Sequence, residues 1–348
     1  MNESNGKAKE PLLEIRNLSV NFKVYGGVLR VLDGINFHVN PGERVGLVGE
    51  TGCGKTTTMK AILRVLPMPP AQIPNGEVRF RGRDVFSMSQ NELVRMRGQG
   101  MSMIFQDPTA ALNPVFTIGE QIRTVIKHAE DNKRIKSEEI QARAVQSLRE
   151  VALADPERLL NSYPIQLSGG MRQRVCIGMA LSTNPELLIG DEPGTALDVT
   201  IQDQVLRLLQ DLVERKGNSF ILITHTLGVV RQMTDRVYVM YAGNMVEVAP
   251  TRRLFSQPLH PYTQGLMAAV PKLSGGGITE GIPGRIPEYK EPPTGCRFHP
   301  RCPHVMPVCK QVKPPNFNIP GEGQEVACFL YDEPSKVAAY QAGEVAAS

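Results

Sequence analysis

The run GETGCGKT, Gly49 to Thr56, has the spacing G-x4-G-K-[ST]. Its glycines, Gly49, Gly52 and Gly54, let the backbone curl until several N–H groups, those of Glu50, Thr51 and Cys53 among them, face one phosphate chain. A helix that starts at such a loop adds the positive end of its dipole, and here KTTTMKAILRVL (55–66) follows directly, with Thr57 in its first turn. Lys55 is expected to reach the β- and γ-phosphates, and the Thr56 hydroxyl to ligate magnesium. A second run, LLIGDEP (187–193), ends an apolar stretch in two carboxylates. Asp191 is suited to hold the same magnesium and Glu192 to orient or deprotonate an attacking water. The chemistry implied is hydrolysis of a nucleoside triphosphate.

A parallel sheet covered on both faces is needed to present such groups. Short apolar runs at 44–49, 101–105, 186–190, 219–224 and 236–241 predict its strands. Alternating apolar residues between Leu13 and Val39 predict half-buried antiparallel strands ahead of it. Ile201, Val205, Leu208, Leu209, Leu212 and Val213 share one helical stripe that Gly217 stops, and Ile140, Ala144, Leu148 and Val151 repeat the pattern earlier. The α/β core is therefore interrupted by a helical insert at about 111–182. Ten prolines within residues 283–320 forbid long helices there.

With 348 residues the chain can form one large or two ordinary domains. The balance of 39 basic against 35 acidic residues is too even, and too free of basic blocks, to argue for nucleic acid. No run of about 18 uncharged apolar residues predicts a membrane span. The opening MNESNGKAKEP (1–11) is polar, unlike a signal peptide, and is expected to be a disordered lead-in to a cytosolic protein. Thiols stay reduced in that compartment, which disfavours disulfides. Cys53 and Cys176 are read as packing residues. Cys296, Cys302, Cys309 and Cys328, spaced C-x5-C-x6-C-x18-C, fall in a tail expected to be too poor in apolar residues to build much of a core, so a staple is expected. Structural zinc favours tighter pairs, whereas wider gaps suit four thiolates around an iron–sulfur cluster; unliganded thiols are the third reading. His299 and His304 are read as surface residues.

Between the two phosphate-site runs lies QLSGGMRQRV (166–175), which resembles the Leu-Ser-Gly-Gly-Gln signature of ATP-binding cassette (ABC) ATPases, with Met171 in place of Gln. Gln106 in MIFQDP resembles the Q-loop, Thr195 to Asp198 the D-loop, and His225 in ILITHT the switch histidine. Tyr25, in competition with Phe22, resembles the adenine-stacking aromatic. LNPVFTIGEQI (112–122) and PLHPYTQGLMAAVPKL (258–273) narrow the resemblance to ATPase subunits of oligopeptide/dipeptide importers. The implied fold is an α/β P-loop ABC ATPase, with a RecA-like parallel-sheet core and antiparallel β and helical subdomains over 12–270. A cysteine-containing C-terminal extension over 271–348 completes it.

The resemblance further implies that ATP is sandwiched between two ATPase subunits in a heterodimer. Ser168, Gly169, Gly170 and Met171 would face the partner's ATP, with Asp198 in the D-loop, and Gln106 would join Thr56 and Asp191 around Mg2+. It also implies two transmembrane permease subunits, an extracytoplasmic solute-binding protein, and peripheral attachment at the cytoplasmic face of the membrane. A [4Fe–4S] cluster on the tail cysteines is implied as well, with Zn2+ as the alternative. Thr226, Gly190 and Gly194 depart from the family's usual Asp, Ala and Thr. The competing functional readings are a non-transport ABC ATPase, or an importer of nickel- or glutathione-type solutes with a metal-sensing tail.

Overall fold

The computed structural model describes residues 10–130, 135–195, 197–269, 281–321 and 323–342. Most of the 1–11 lead-in and the start of the 271–348 extension lie outside these, as does Ala196 of the D-loop. The chain opens with two long strands, β1 (Leu13–Val24) and β2 (Gly27–Val39), then β3 (Arg44–Val48), helix α1 (Lys55–Ile62), β4 (Ala71–Phe80) and β5 (Arg83–Asp84). After α2 (Gln90–Arg95) and β6 (Met101–Ile104) come five helices: α3 (Pro108–Ala111), α4 (Ile118–Ala129), α5 (Ser137–Glu150), α6 (Pro156–Leu159) and α7 (Gly169–Leu181). Strands and helices then alternate through β7 (Leu187–Asp191), α8 (Val199–Lys216), β8 (Ser219–Ile223), α9 (Leu227–Met233) and β9 (Arg236–Tyr241). The chain closes with β10 (Asn244–Pro250), α10 (Thr251–Ser256), α11 (Pro261–Ala268), β11 (Phe317–Ile319), β12 (Gln324–Val326) and α12 (Pro334–Ala342).

All five predicted core strands pair in parallel, in the order β9-β3-β8-β7-β6. Their side chains alternate between two cores. Phe220 and Leu222 of β8 join Leu188, Val237 and the α4, α5, α7 and α8 faces, while Ile221 and Ile223 join Leu187, Ile189 and the antiparallel sheet β2-β1-β4-β5. Each fully buried Leu, Ile or Phe in these layers contributes about 1.5–3 kcal/mol relative to exposure. Helix α8 ends as its sequence requires, with Gly217 left-handed at φ 66°.

The tail departs from expectation. The helical structure of its proline-rich stretch is limited to short 3-10 turns, at His299–Arg301 and Pro307–Lys310. Yet it builds an apolar cluster of its own from Met306, Val308, Cys309, Phe329 and Tyr340. It also joins the large sheet, where β12 pairs antiparallel with β10 and β11 with β12. Its apolar residues are scattered between prolines without periodicity, which hid this core from a pattern-based reading.

At the β9–β10 turn, Gly243 (φ 78°) donates to the Cys53 carbonyl at 2.8 Å and accepts from Asp33 N–H at 3.0 Å. A Cβ there would strike the Val31 carbonyl. Gly243→Ala is therefore expected to lower stability by about 3 kcal/mol through strain and collision. An unchanged denaturant midpoint would contradict this.

Candidate functional site

The curled loop runs from the end of β3 into α1, and packing enforces its glycines. A Cβ on Gly49 would collide with the Met240 carbonyl, and one on Gly54 would come within 2.7 Å of Leu32 Cδ2. Both glycines have positive φ, at 152° and 111°. The Lys55 side chain is buried, and its ammonium donates to the carbonyls of Gly49 (2.8 Å) and Glu50 (3.1 Å). Thr56 donates to both Asp191 oxygens, at 2.8 and 3.1 Å, which brings together two of the three side chains expected around magnesium, while the third, Gln106, bonds to Glu192 instead. Burial pushes the Asp191 carboxyl above its ordinary range, against the lowering pull of the Thr56 hydrogen bond. A divalent cation beside it would reverse that balance.

Glu192 follows at a left-handed φ of 47°, a conformation that costs a non-glycine residue on the order of 1–3 kcal/mol. Its N–H donates to the Ile223 carbonyl at 2.8 Å, which ties the turn to β8. The carboxylate Oε2 then receives the Gln106 amide at 3.1 Å and the Thr195 hydroxyl at 3.0 Å, with His225 Nδ1 at 3.3 Å. Glu192 is buried, whereas Gln106, Thr195 and His225 are exposed around it. In the sequence Thr195 stands out only as part of a loop motif, and its hydroxyl on Glu192 is a contact that spacing does not reveal.

Other expected residues stand apart. Tyr25 projects fully into solvent at the β1–β2 turn, while Phe22 packs against the core, which separates the two competing aromatics. Ser168 caps α7, accepting from Met171 N–H at 3.3 Å, and Ser168 and Gly169 are exposed, as are Ile165 and Val199. Asp198 caps α8, accepting from Ile201 N–H at 3.0 Å. The atypical glycines have neighbours in their place: a Cβ on Gly190 would meet the Phe220 ring at 3.3 Å and one on Gly194 the Gln202 Cγ at 2.6 Å.

The four tail cysteines line one narrow cavity of about 10 Å3, walled by Pro261, Phe298, Met306 and Phe329. His299 and His304 also border it; His304 is exposed, as expected, and His299 is half-buried. Burial first, then the charge of neighbouring thiols, pushes Cys296 up to about 11 and Cys328 to about 12; Cys302 is raised by burial. Among the described residues, however, no three His, Cys, Asp or Glu are grouped closely enough to hold one metal ion. The metal site expected at Cys296, Cys302, Cys309 and Cys328 is therefore not preformed in this structure.

Two contacts on the phosphate loop come from residues that sequence reasoning never singled out. Tyr289 donates its hydroxyl to the Gly52 carbonyl at 2.7 Å, and Arg301 donates to Glu50 Oε2 at 3.0 Å. Tyr262, quoted within a motif, accepts from Glu50 N–H at 2.8 Å.

Residues 32–195 match the family model described as "ABC transporter", and residues 246–309 match "Oligopeptide/dipeptide transporter, C-terminal region". The chain is 46% identical to a probable peptide ABC transporter ATP-binding protein of Sinorhizobium fredii, over 95% of this chain and 98% of that one. It is 44% identical to the oligopeptide transport ATP-binding protein OppD of Bacillus subtilis (94% and 91%), and 43% identical to the dipeptide transport ATP-binding protein DppD of the same organism (93% and 96%). Among solved structures, a dimeric ATP-binding cassette, MJ0796, in a post-hydrolysis state with ADP and Pi matches with TM-score 0.61 at 27% identity, over 69% of this chain and 99% of that one.

Burial holds Cys53 above the ordinary thiol range and Cys176 at about 12, so both remain protonated and poorly nucleophilic at neutral pH. Iodoacetamide at pH 7.5 is expected to leave both unmodified in the native protein and to label them after denaturation. Rapid native labelling in peptide mapping would refute the assignment.

Proposed function

Because this chain belongs to the ABC transporter family, among the ATP-binding subunits of peptide transport, we propose a specific division of labour among its residues. The protein binds and hydrolyses ATP to power peptide transport. Gly49–Thr57 cradles the triphosphate, Lys55 neutralises its β- and γ-phosphates, and Tyr25 stacks on the base. Magnesium, held by Thr56 and Asp191 with Gln106 nearby, supplies charge neutralisation at the phosphates. Glu192 orients a water and accepts its proton as the water oxygen bonds to the γ-phosphorus and the bond to the bridging oxygen breaks. The observation that carries this assignment is the convergence of Gln106, Thr195 and His225 on one oxygen of Glu192.

The exposed Ser168–Gly169 corner is read as the surface that meets ATP on a second, homologous ATPase subunit, with Asp198 in the same seam. Release of phosphate would open that seam, an ordering switch of the kind nucleotide machines use. Gln106 and the helices that follow it would transmit the motion to two permease subunits, along a groove lined by Leu63, Val65, Met103, Phe105 and Met179. No helix among the described residues is long and apolar enough to cross a membrane. Attachment to the cytoplasmic face through those permeases, a heterodimeric ATPase pair and an external solute-binding protein complete the proposed complex. We read 12–270 as the ATPase domain and 271–348 as its extension.

For the tail we retain a [4Fe–4S] cluster as the occupant of the four-thiol cavity. Zinc would need its four sulfurs converged on one point, whereas a cluster would spread its four thiolate ligands more widely, which is the better match to cysteines that line one cavity without being grouped. The cations would lower the thiol pKa values that burial raises.

Glu192→Gln is expected to reduce steady-state hydrolysis by at least about a hundredfold in the assembled complex while ATP still binds. Turnover close to wild type would remove Glu192 from its role. Protein purified without oxygen should be brown and contain about four iron and four sulfide per chain. Colourless protein containing stoichiometric zinc would overturn the cluster.

A further inference from the structure

Phosphate-loop chemistry requires the glycines, Lys55 and Thr56; the intervening residues are free to be fixed by something else. Here Glu50 and Gly52 are fixed from the C-terminal region. The Arg301 side chain is only 6% exposed and each of its three guanidinium nitrogens donates a hydrogen bond. Nη1 donates to Glu50 Oε2 at 3.0 Å and to the Tyr241 hydroxyl at 3.3 Å, Nε to the Pro283 carbonyl at 2.8 Å, and Nη2 to the Ile282 carbonyl at 2.9 Å. Two loop residues away, the Tyr289 hydroxyl holds the Gly52 carbonyl. Tyr289 is anchored in turn by its own carbonyl, which accepts from Arg30 N–H at 2.8 Å, beside the strand pair that carries Tyr25.

The path from this clamp to the thiols is short and stiff. Arg301 directly precedes Cys302, in a turn closed by Arg301 N–H on the Phe298 carbonyl (2.9 Å) and His299 N–H on the Cys296 carbonyl (2.9 Å). Phe298, 2% exposed, packs its ring against Tyr241 at 5.1 Å and Tyr262 at 5.6 Å between centroids, and Tyr262 is itself bonded to Glu50. A displacement of the Cys296–Cys302 turn cannot occur without moving Arg301, because close-packed interiors transmit rather than absorb such shifts.

We propose that Arg301 and Tyr289 are positioning residues for the ATP site, and that through Arg301 the four-cysteine cavity and the phosphate loop are thermodynamically coupled. Arginine suits the post because its planar fork satisfies several fixed acceptors at once, which a lysine ammonium cannot do. The inference rests on reading Gly49–Thr56 as the ATP site. Coupling is reciprocal: if the state of the thiol site alters ATP affinity, ATP must stabilise the thiol site equally.

The test uses the full chain purified with its partner subunits. Arg301→Gln is expected to weaken binding of a fluorescent ATP analogue about tenfold, the scale of one lost charged hydrogen bond, and to raise KM similarly with kcat changed less than about threefold. Glu50→Gln should match it, and the double variant should be no weaker than either single one. Tyr289→Phe, which removes one hydroxyl and no volume, should weaken binding by about threefold at an unchanged melting temperature. In the reverse direction, a non-hydrolysable ATP analogue should protect Cys302 several-fold in the wild type but not in Arg301→Gln, read as slower loss of its iron to a chelator where the cluster is bound, or as slower alkylation where the thiol is free. ATP affinity within twofold of wild type in both Arg301→Gln and Tyr289→Phe, additive effects at 50 and 301, or nucleotide protection of Cys302 unaffected by Arg301→Gln would each overturn the proposal. A wild-type protein that binds no ATP would instead remove the reading of the loop on which it stands.

Discussion

The arrangement turns on a buried cation. Lys55 lies within the protein with its ammonium on two main-chain carbonyls and one thiol, Cys53 Sγ at 3.7 Å, rather than on a carboxylate. Desolvated charge is costly without an opposite partner, so such a site favours the arrival of an anion. Holding the ammonium there requires carbonyls that turn inward and glycines that lack a Cβ, and those in turn require β9 and the β2 strand to press against the loop. Much of the parallel sheet can be understood as the support that keeps this small region of positive potential in place.

Order in the carboxylate pair follows from the same support. Asp191 is the last residue of its strand and faces Thr56, whereas Glu192 turns through a left-handed conformation and points to the opposite group of polar side chains. Neighbouring acids thus acquire different partners from one peptide unit. The glycines at 190 and 194 belong to this economy, since Phe220 and Gln202 occupy the volumes that larger residues would need.

The nucleotide site was legible because its determinants are local. Gly49–Thr56 and the strand ending at Asp191 carry their own spacing, and the five core strands announced themselves as continuous apolar runs. What stayed hidden depends on contacts across the chain. The bond from Tyr289 to Gly52 spans 237 residues and that from Arg301 to Glu50 spans 251, and neither residue sits in a pattern that foretells a partner. The tail's apolar cluster was missed for a related reason: Met306, Phe329 and Tyr340 meet only after proline-directed turns have folded the chain back. Cysteine spacing signalled that the tail is constrained but not that it is also stitched into the main sheet.

That stitching has a consequence for solubility. Strand β10 would otherwise leave Glu247 and Val248 with open main-chain groups along a sheet margin, an invitation to pair with any extended peptide. β12 covers them, and the new margin, β11, is only Phe317–Ile319, with Pro320 closing it off. A blunted margin of this kind leaves little main chain for an extended peptide, or a nascent copy of the same chain, to join as one more strand.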